Sequence, residues 1–155
     1  MPNTYIQVYV QMVFAVQWRI SLIHNDWKDE FYAYIIGLIE NRHHKVWAIG
    51  GMSDHIHIFV SMQPNQSISN LVQEVKRASS FWVNEKHFVR GNFMWQEGYG
   101  AFSYSKSQID NVVQYIHNQE QHHHKRTFLE EYELFLKNFG IQYDVKYIFK
   151  PIEDD

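Results

Sequence analysis

The 155-residue sequence contains no cysteine and only three prolines. Without cysteine, a disulfide framework, a thiolate zinc site and a cysteine nucleophile are all excluded. The absence fits a reducing compartment, so we expect a cytoplasmic protein. No apolar run approaches the roughly 18 residues that span a bilayer, and the first residues lack the charged-then-apolar order of a signal peptide. We therefore expect neither membrane insertion nor export.

An excess of positive charge is also missing, since the formal net charge is -3. Nucleic-acid binders usually gain affinity from lysine and arginine contacts to phosphates. The acidity is concentrated in residues 127–155, which carry seven acidic and three basic groups. Residues 1–126 carry eleven basic and ten acidic groups. The net charge therefore leaves DNA binding open for the larger part of the chain.

The hydrophobic content of 45% is enough for one packed core, so we expect one domain over residues 1–155, with a tail of uncertain structure from about 141. Period-two alternation predicts strands, and period-3.6 spacing predicts amphipathic helices. The predicted strands cover residues 5–15, 45–49, 55–62 and 100–104, and the predicted helices cover 26–42, 67–88, 107–121 and 127–138. Gly50 and Gly51 are expected to form the turn between the second and third strands.

This element order predicts an α+β fold. It is the order of a ferredoxin-like split βαβ sandwich, in which helices cover one face of an antiparallel sheet, with extra helices at the C-terminal end.

Two histidines lie two residues apart in the third predicted strand. His55 and His57 share one face because alternate side chains of a strand point the same way. That face is too polar to be the main core, and the spacing of about 6.6 Å lets two imidazole nitrogens approach one cation. The alternative is a pair of half-buried histidines whose hydrogen bonds go to backbone carbonyls or water. The H-x-H motif alone does not decide between the two.

The third predicted helix carries Tyr115 and Gln119 on the flank of its apolar stripe. They are four residues apart and can therefore reach a common site. A phenol has a pKa near 10, so it needs a metal ion or a polarised phosphate nearby to act as a nucleophile at neutral pH. An ordinary boundary tyrosine beside an exposed amide is the alternative.

Longer stretches of the sequence show a family resemblance. They are YIQVYVQMVFAV, GGMSDHIHIFVSM, SISNLVQEVKRASSFWVN and WQEGYGAFSYSKSQIDNVVQYIHNQEQHHHKRTFLEEY, and they extend over nearly the whole chain. In order and spacing they resemble the single-tyrosine HUH transposases of short bacterial insertion sequences, including relatives associated with repetitive extragenic palindromes. One departure is Gln11, where many relatives have a histidine.

The resemblance implies a metal-dependent enzyme that cleaves and rejoins single-stranded or hairpin DNA through a 5′-phosphotyrosine. It implies that His55 and His57 bind the metal, that Gln119 is the third ligand and that Tyr115 is the nucleophile. A divalent ion, Mg²⁺ or Mn²⁺, would polarise the scissile phosphate, and imidazole ligands suit Mn²⁺ better than Mg²⁺. The resemblance also implies a homodimer in which the tyrosine helix of one subunit completes the site of its partner.

Basic side chains are the candidates for DNA contacts, with a solvated charged surface as the alternative. These candidates are Lys76, Arg77, Lys86, Arg90, Lys106, Lys125 and Arg126. Trp95, Tyr99 and Tyr104 are candidates for stacking on unpaired bases, with packing in the core as the alternative.

Two other functions stay open at this point. One is a domain that grips structured nucleic acid without cutting it. The other is a small metallohydrolase whose nucleophile is water, which would not need Tyr115.

Overall fold

The computed structural model describes residues 3–119 and 126–144. Strands β1 (Tyr9–Ala15), β2 (Lys45–Met52), β3 (His55–Ser61) and β4 (Gly100–Tyr104) form one antiparallel sheet in the order β2-β3-β1-β4. The described α-helices are α1 (Asn25–Glu40), α2 (Ile68–Lys86), α3 (Ile109–His117) and α4 (Phe128–Asn138). The predicted α+β, ferredoxin-like architecture is confirmed. Within the described ranges, no helix has the length and apolar character needed to cross a membrane.

The larger core lies between the sheet and helices α1 and α2. Every second residue of β1 and of β3 enters it, because alternate strand positions share a face. The strands contribute Val10, Met12, Phe14, Ile56, Ile58 and Val60, and the helices contribute Phe31, Ile35, Ile39, Leu71 and Val75. The helical residues recur at spacings of three and four, which is the pattern of a helix with one buried side.

The other face of the sheet is covered by α3 and α4. Phe128, Tyr132 and Leu136 of α4 pack on Val13, Ala15 and Phe102, and Ile109, Val112 and Ile116 of α3 pack on Ala48 and Phe59. The extra C-terminal helices thus create a second apolar layer. The face that carries the two histidines, which the sequence indicated as too polar for the main core, is enclosed beneath this layer.

Gly50 and Gly51 lie inside β2, so their predicted turn is wrong. β2 continues to Met52 and pairs Gly50 with His57, and the chain reverses at residues 53–54. Gly50 is needed for close packing instead: a Cβ there would lie 2.7 Å from the backbone oxygen of Ile116 in α3. A glycine pair therefore need not mark a turn, because glycine also occurs in strands where a neighbouring element packs closely against the backbone.

The first strand begins at Tyr9, not at Tyr5 as predicted. Tyr9 is opposite Ser61 of β3 on one side and Tyr104 of β4 on the other, and both of those strands end there. Residues 5–8 keep the alternating pattern, but they extend past the ends of both neighbouring strands, and among the described residues only one further backbone hydrogen bond, from the Met62 amide to the Val8 oxygen at 2.9 Å, continues the pairing. Alternation is a local signal, whereas a strand also needs a neighbour.

The region of the third predicted helix begins with a 3₁₀ turn at Lys106–Gln108, and α3 follows from Ile109. Its predicted end at 121 and the tail from 145 lie outside the described residues. Thr127 caps α4 by accepting a hydrogen bond from the Glu130 amide.

Candidate active site

The site is built on β3, which carries both histidines in the middle of the sheet. The side chains of His55 and His57 are fully buried, and their ring centroids are 5.1 Å apart. Each Nδ1 faces a polar oxygen behind the ring: Asp54 Oδ1 at 2.7 Å from His55, and Gln11 Oε1 at 2.7 Å from His57. These acceptors fix the Nδ1–H tautomer of both rings. Both Nε2 atoms consequently face the same point between the sheet and the C-terminal helices.

Two oxygen-bearing side chains meet the histidines at that point. The Gln119 amide oxygen is 3.1 Å from His55 Nε2, and Glu131 Oε1 is 3.1 Å from His57 Nε2 and 3.5 Å from His55 Nε2. Both side chains are almost fully buried. Gln119 lies just after α3 in the chain, and Glu131 lies in the first turn of α4, so each oxygen comes from the C-terminal part of the chain that covers this face.

Tyr115 joins the same cluster from α3. Its phenol donates a hydrogen bond to Glu131 Oε2, and the Gln119 amide donates to the same oxygen at 3.1 Å. The Tyr115 ring centroid lies 6.0 Å from that of His57. The two carboxylate oxygens of Glu131 therefore have separate partners, since Oε1 faces the histidines and Oε2 holds the phenol.

The surroundings keep the phenol protonated. Burial, and then the negative charge of Glu131, raise the pKa of Tyr115 well above its usual value. For His55, burial lowers the pKa, but hydrogen bonds and charge from Asp54 and Glu131 outweigh that effect and raise it to about 9. Both shifts favour a proton on the group, on the imidazole of His55 and on the phenol of Tyr115.

The donor set fits a divalent metal ion. The ligand atoms offered by His55, His57 and Glu131 all lie within 4.8 Å of one another. When neither Nε2 carries a proton, the two Nε2 atoms, the Gln119 oxygen and Glu131 Oε1 all direct lone pairs at one point, where a cation can accept them. Two imidazoles with oxygen ligands suit Mn²⁺ or Zn²⁺ better than Mg²⁺.

A cavity of about 500 Å³ opens beside this cluster. Tyr115 and Glu131 line it, together with Arg126 and Tyr104, and the fully buried histidines lie behind them. The cavity gives the phenol side of the cluster contact with the exterior. A ligand entering this way meets Tyr115 first.

The family described as "Transposase IS200 like" matches residues 4–119. The chain belongs to the IS200-like transposase family. The matched region of this transposase contains His55, His57, Tyr115 and Gln119, whereas Glu131 lies beyond it. The search of curated proteins found no match.

Two solved structures share the fold of this transposase. One is a candidate transposase from Deinococcus radiodurans R1, with 18% identity and a TM-score of 0.59, covering 76% of this chain and 94% of its own. The other is a tyrosine transposase associated with REP sequences, solved with a bound REP hairpin, with 14% identity and a TM-score of 0.60 over 99% of this chain and 93% of its own. At these identities the likeness establishes the architecture alone.

The structure of this transposase brings four predicted site residues together: His55, His57, Tyr115 and Gln119. Reasoning from the sequence missed Glu131, which it counted only among the acids of the C-terminal part. A signal was present, because Glu131 is three residues after Phe128 and four before Phe135, in line with the apolar stripe of α4. A carboxylate in such a stripe is seldom buried without a specific partner.

Asp54, which precedes the H-x-H motif directly, was also missed as a member of the site. The alternation of β1 places Gln11 on the same face of the sheet as the histidines, but no role in the site was predicted for it. Its oxygen faces His57 while its amide nitrogen donates to the Tyr104 hydroxyl at 2.8 Å.

The predicted DNA-contact residues are scattered over the transposase. Arg126 lines the cavity beside Tyr115, whereas Lys76 and Arg77 lie at a groove along α2. Lys86, Arg90 and Lys106 are exposed elsewhere, and Lys125 lies outside the described residues. Arg126 is thus the described candidate at the tyrosine site. Of the stacking candidates, Trp95 is in the core, Tyr104 is half-buried, and Tyr99 is 37% exposed.

Proposed function

We propose that this transposase cleaves and rejoins single-stranded or hairpin DNA through a 5′-phosphotyrosine on Tyr115, assisted by a divalent metal ion. The observation that carries the proposal is the meeting of Tyr115, His55 and His57 around the carboxylate of Glu131 in one buried cluster. The hairpin bound to the REP-associated relative supports hairpin DNA as the substrate.

The metal ion would be held by His55 and His57, with oxygens from Gln119 and Glu131. When bound, it polarises the scissile phosphate and stabilises the negative charge that develops there. Asp54 and Gln11 accept hydrogen bonds from the Nδ1 atoms and so keep the two Nε2 atoms directed at the metal position. Imidazole ligands suit Mn²⁺ better than Mg²⁺, so Mn²⁺ is the ion chosen for the test.

The chemical step uses the residues around Oε2 of Glu131. Tyr115 attacks the phosphorus, a bond forms between phosphorus and the phenolic oxygen, and the bond from phosphorus to the 3′ oxygen breaks. The phenolic proton passes to Glu131, and the departing 3′ oxygen takes up a proton from solvent. Rejoining reverses these steps: the 3′-hydroxyl attacks the phosphotyrosine, and Tyr115 leaves and regains its proton. No ATP is needed, because the phosphotyrosine retains the bond energy.

Among the described lysines and arginines, Arg126 is the one that lines the tyrosine cavity. It is exposed and lines the cavity that reaches Tyr115. A guanidinium in this position can pair with two phosphate oxygens at once. We assign to it the positioning of a phosphate of the incoming strand.

A homodimer stays a prediction for this protein. The cluster, however, is complete within one chain, because α3 and α4 bring Tyr115 and Glu131 to His57 of the same chain. This geometry favours a site assembled within each subunit over one shared between subunits.

The test is to incubate the protein with Mn²⁺ and labelled single-stranded DNAs that contain hairpins, and to look for covalent adducts on denaturing gels. We expect an adduct that disappears with chelator and with Tyr115→Phe. Tyr5→Phe is the matched control, because Tyr5 is 92% exposed and lies outside the cluster.

Two other results would refute the proposal in different ways. Hairpin binding without any adduct would favour a domain that binds DNA without cutting it. DNA cleavage that persists in Tyr115→Phe and never yields an adduct would favour hydrolysis by water.

A further inference from the structure

A second cavity, of about 620 Å³, lies between α2 and residues 94–99, and we refer to it as the α2 groove. Helix α2 packs on the face of the sheet opposite to Tyr115, so this groove is separate from the tyrosine cavity. Its size is within the range of sites that hold small ligands. The side chains that matter are Lys76, Arg77, Met94, Gln96 and Tyr99.

The two cations of the α2 groove have different roles. The Lys76 ammonium donates to the backbone oxygens of Gln96 and Gly98 at 2.8 and 2.6 Å and so ties residues 94–99 to the helix. Burial lowers the pKa of Lys76 to about 8, against the opposing effect of Glu97. Arg77 is exposed and forms no ion pair with any described residue. Its guanidinium is therefore available to a phosphate at the rim of the groove.

The opposite wall offers contacts of the kind that a nucleobase uses. Tyr99 is 37% exposed and Met94 is 46% exposed, so an aromatic ring and a thioether face the cavity. Gln96 is 7% exposed, and its side-chain oxygen is buried without a hydrogen-bond partner among the described residues. A buried acceptor without a partner is costly, and a donor brought by a ligand would remove that cost.

The α2 groove is at the same end of the sheet as the histidines. The Gln96 amide donates to the Ala15 oxygen at 2.8 Å, and Ala15 is opposite His55 on the other side of β1. Two interstrand spacings of about 4.8 Å each thus separate the backbone of Gln96 from that of His55.

We propose that the α2 groove binds one unpaired nucleotide of the DNA strand, with its base against Tyr99 and Met94 and its phosphate on Arg77. The choice of DNA rests on the proposed function. A rotation of the Gln96 side chain toward the groove would let its oxygen accept a hydrogen bond from the edge of the base, such as N3–H of thymine. Basic residues that follow the backbone, together with an aromatic ring that takes a base, are the combination found where proteins hold single strands.

Binding can be measured without cleavage, by fluorescence anisotropy of a labelled oligothymidylate of about twelve nucleotides in the presence of chelator. We expect Tyr99→Ala to weaken binding by about five- to a hundredfold, the range for loss of one stacked base. Phe81→Ala is the matched control, because Phe81 is on α2, is 65% exposed and lies outside the groove. Both residues are on the surface, so neither variant threatens the fold.

Arg77→Ala tests the phosphate contact. Loss of one phosphate contact should reduce the slope of log affinity against log salt by about 0.7. Lys137→Ala, on the exposed side of α4, should leave that slope unchanged. A third measurement locates the base: 5-iodouracil in the same oligonucleotide should crosslink on irradiation to the peptide that contains Tyr99.

Equal affinities of Tyr99→Ala and Phe81→Ala, or a crosslink that maps outside residues 94–99, would overturn the proposal. A failure of the proposed function would be seen separately, as the absence of a covalent adduct on denaturing gels, while binding to the α2 groove in the presence of chelator would be unchanged.

Discussion

At the scale of single residues, Asp54 fixes the orientation of the His55 ring. Its carboxylate accepts a hydrogen bond from Nδ1 at 2.7 Å and leaves Nε2 directed at the cluster. Loss of a hydrogen-bond partner behind a metal-binding histidine commonly lowers metal affinity by about 10- to 100-fold. We expect Asp54→Asn to weaken Mn²⁺ binding by this factor, measured by electron paramagnetic resonance titration.

Asp29→Asn is the control for this experiment, since Asp29 is exposed on α1, far from the histidines. It should bind Mn²⁺ as the unmodified protein does. Equal affinities of all three proteins would mean that Asp54 does not support a metal site.

Glu131 is the second residue with a measurable effect. Because Oε2 accepts the hydrogen bond of the phenol, Glu131→Gln removes the proton acceptor while keeping the shape of the side chain. Loss of a general base typically costs about 10²- to 10⁴-fold in rate. We expect adduct formation by Glu131→Gln to slow by at least about 10²-fold, with hairpin affinity nearly unchanged.

Rates from single-turnover gels, at saturating Mn²⁺ and DNA, separate this effect from weaker metal binding. Glu133→Gln, two residues along the same helix, should react at the normal rate. A normal rate for Glu131→Gln would contradict the assigned role and leave Glu131 as a structural acid.

At the scale of elements, the contact between α3 and β2 positions the tyrosine. A Cβ at residue 50 would lie 2.7 Å from the Ile116 oxygen and 3.0 Å from Ile116 Cγ2, so Gly50→Ala pushes α3 away from the sheet. Such overpacking costs about 1–3 kcal/mol of unfolding free energy, or roughly 2–4 °C in Tm for each kcal/mol. Calorimetry should show this loss, and adduct formation should slow because Tyr115 is carried on α3.

The matched substitution is Gly37→Ala in the middle of α1. A Cβ at this position has nothing within 4 Å, and alanine favours a helix over glycine by up to about 1 kcal/mol. We expect Gly37→Ala to raise the Tm and leave adduct formation unchanged. If Gly50→Ala were equally well tolerated, α3 would not depend on contact with β2.

The same elements show how far the sequence predicts the fold. The helices follow from apolar spacing, because each buries one stripe, and β3 follows from its alternation. The predicted first strand begins too early, and the predicted turn at the glycine pair is wrong. Both features depend on partners that are distant in the chain, which local patterns do not show. Pairing with Ser61 and Tyr104 decides where β1 begins, and packing against Ile116 explains Gly50.

The candidate site was likewise predicted only in part. His55, His57, Tyr115 and Gln119 were found through local spacing and family resemblance, and the structure brings them together. Glu131 escaped because its role depends on α4 folding back over the sheet, which no local pattern specifies. Its place in the apolar stripe of α4 was the available hint.

At the scale of the whole molecule, the question is whether each subunit acts alone. We expect Tyr115→Phe and His57→Ala each to inactivate the proposed site, and mixing the two variants tests whether one chain can supply the residue that the other lacks. If sites form within one chain, the mixture stays inactive, because every chain lacks one essential group. We therefore expect no adduct from the mixture after co-expression or after joint refolding.

Adduct formation by the mixture would show that the tyrosine of one subunit serves the histidines of another, as the family resemblance implies. The unmodified protein mixed with either variant controls for inhibition by the inactive chain. Light scattering on the same samples would report the oligomeric state directly.

The order of the site residues along the chain has a consequence for the time of synthesis. Gln119 follows His55 by 64 residues, and Glu131 follows His57 by 74. At about 5–20 residues per second, a ribosome needs on the order of 4–15 seconds to translate the 74 residues from His57 to Glu131. The emerging chain thus displays its histidine pair well before it has a nucleophile. On the proposed function, DNA cleavage can begin only after the second half of the polypeptide has been made and has folded over the first.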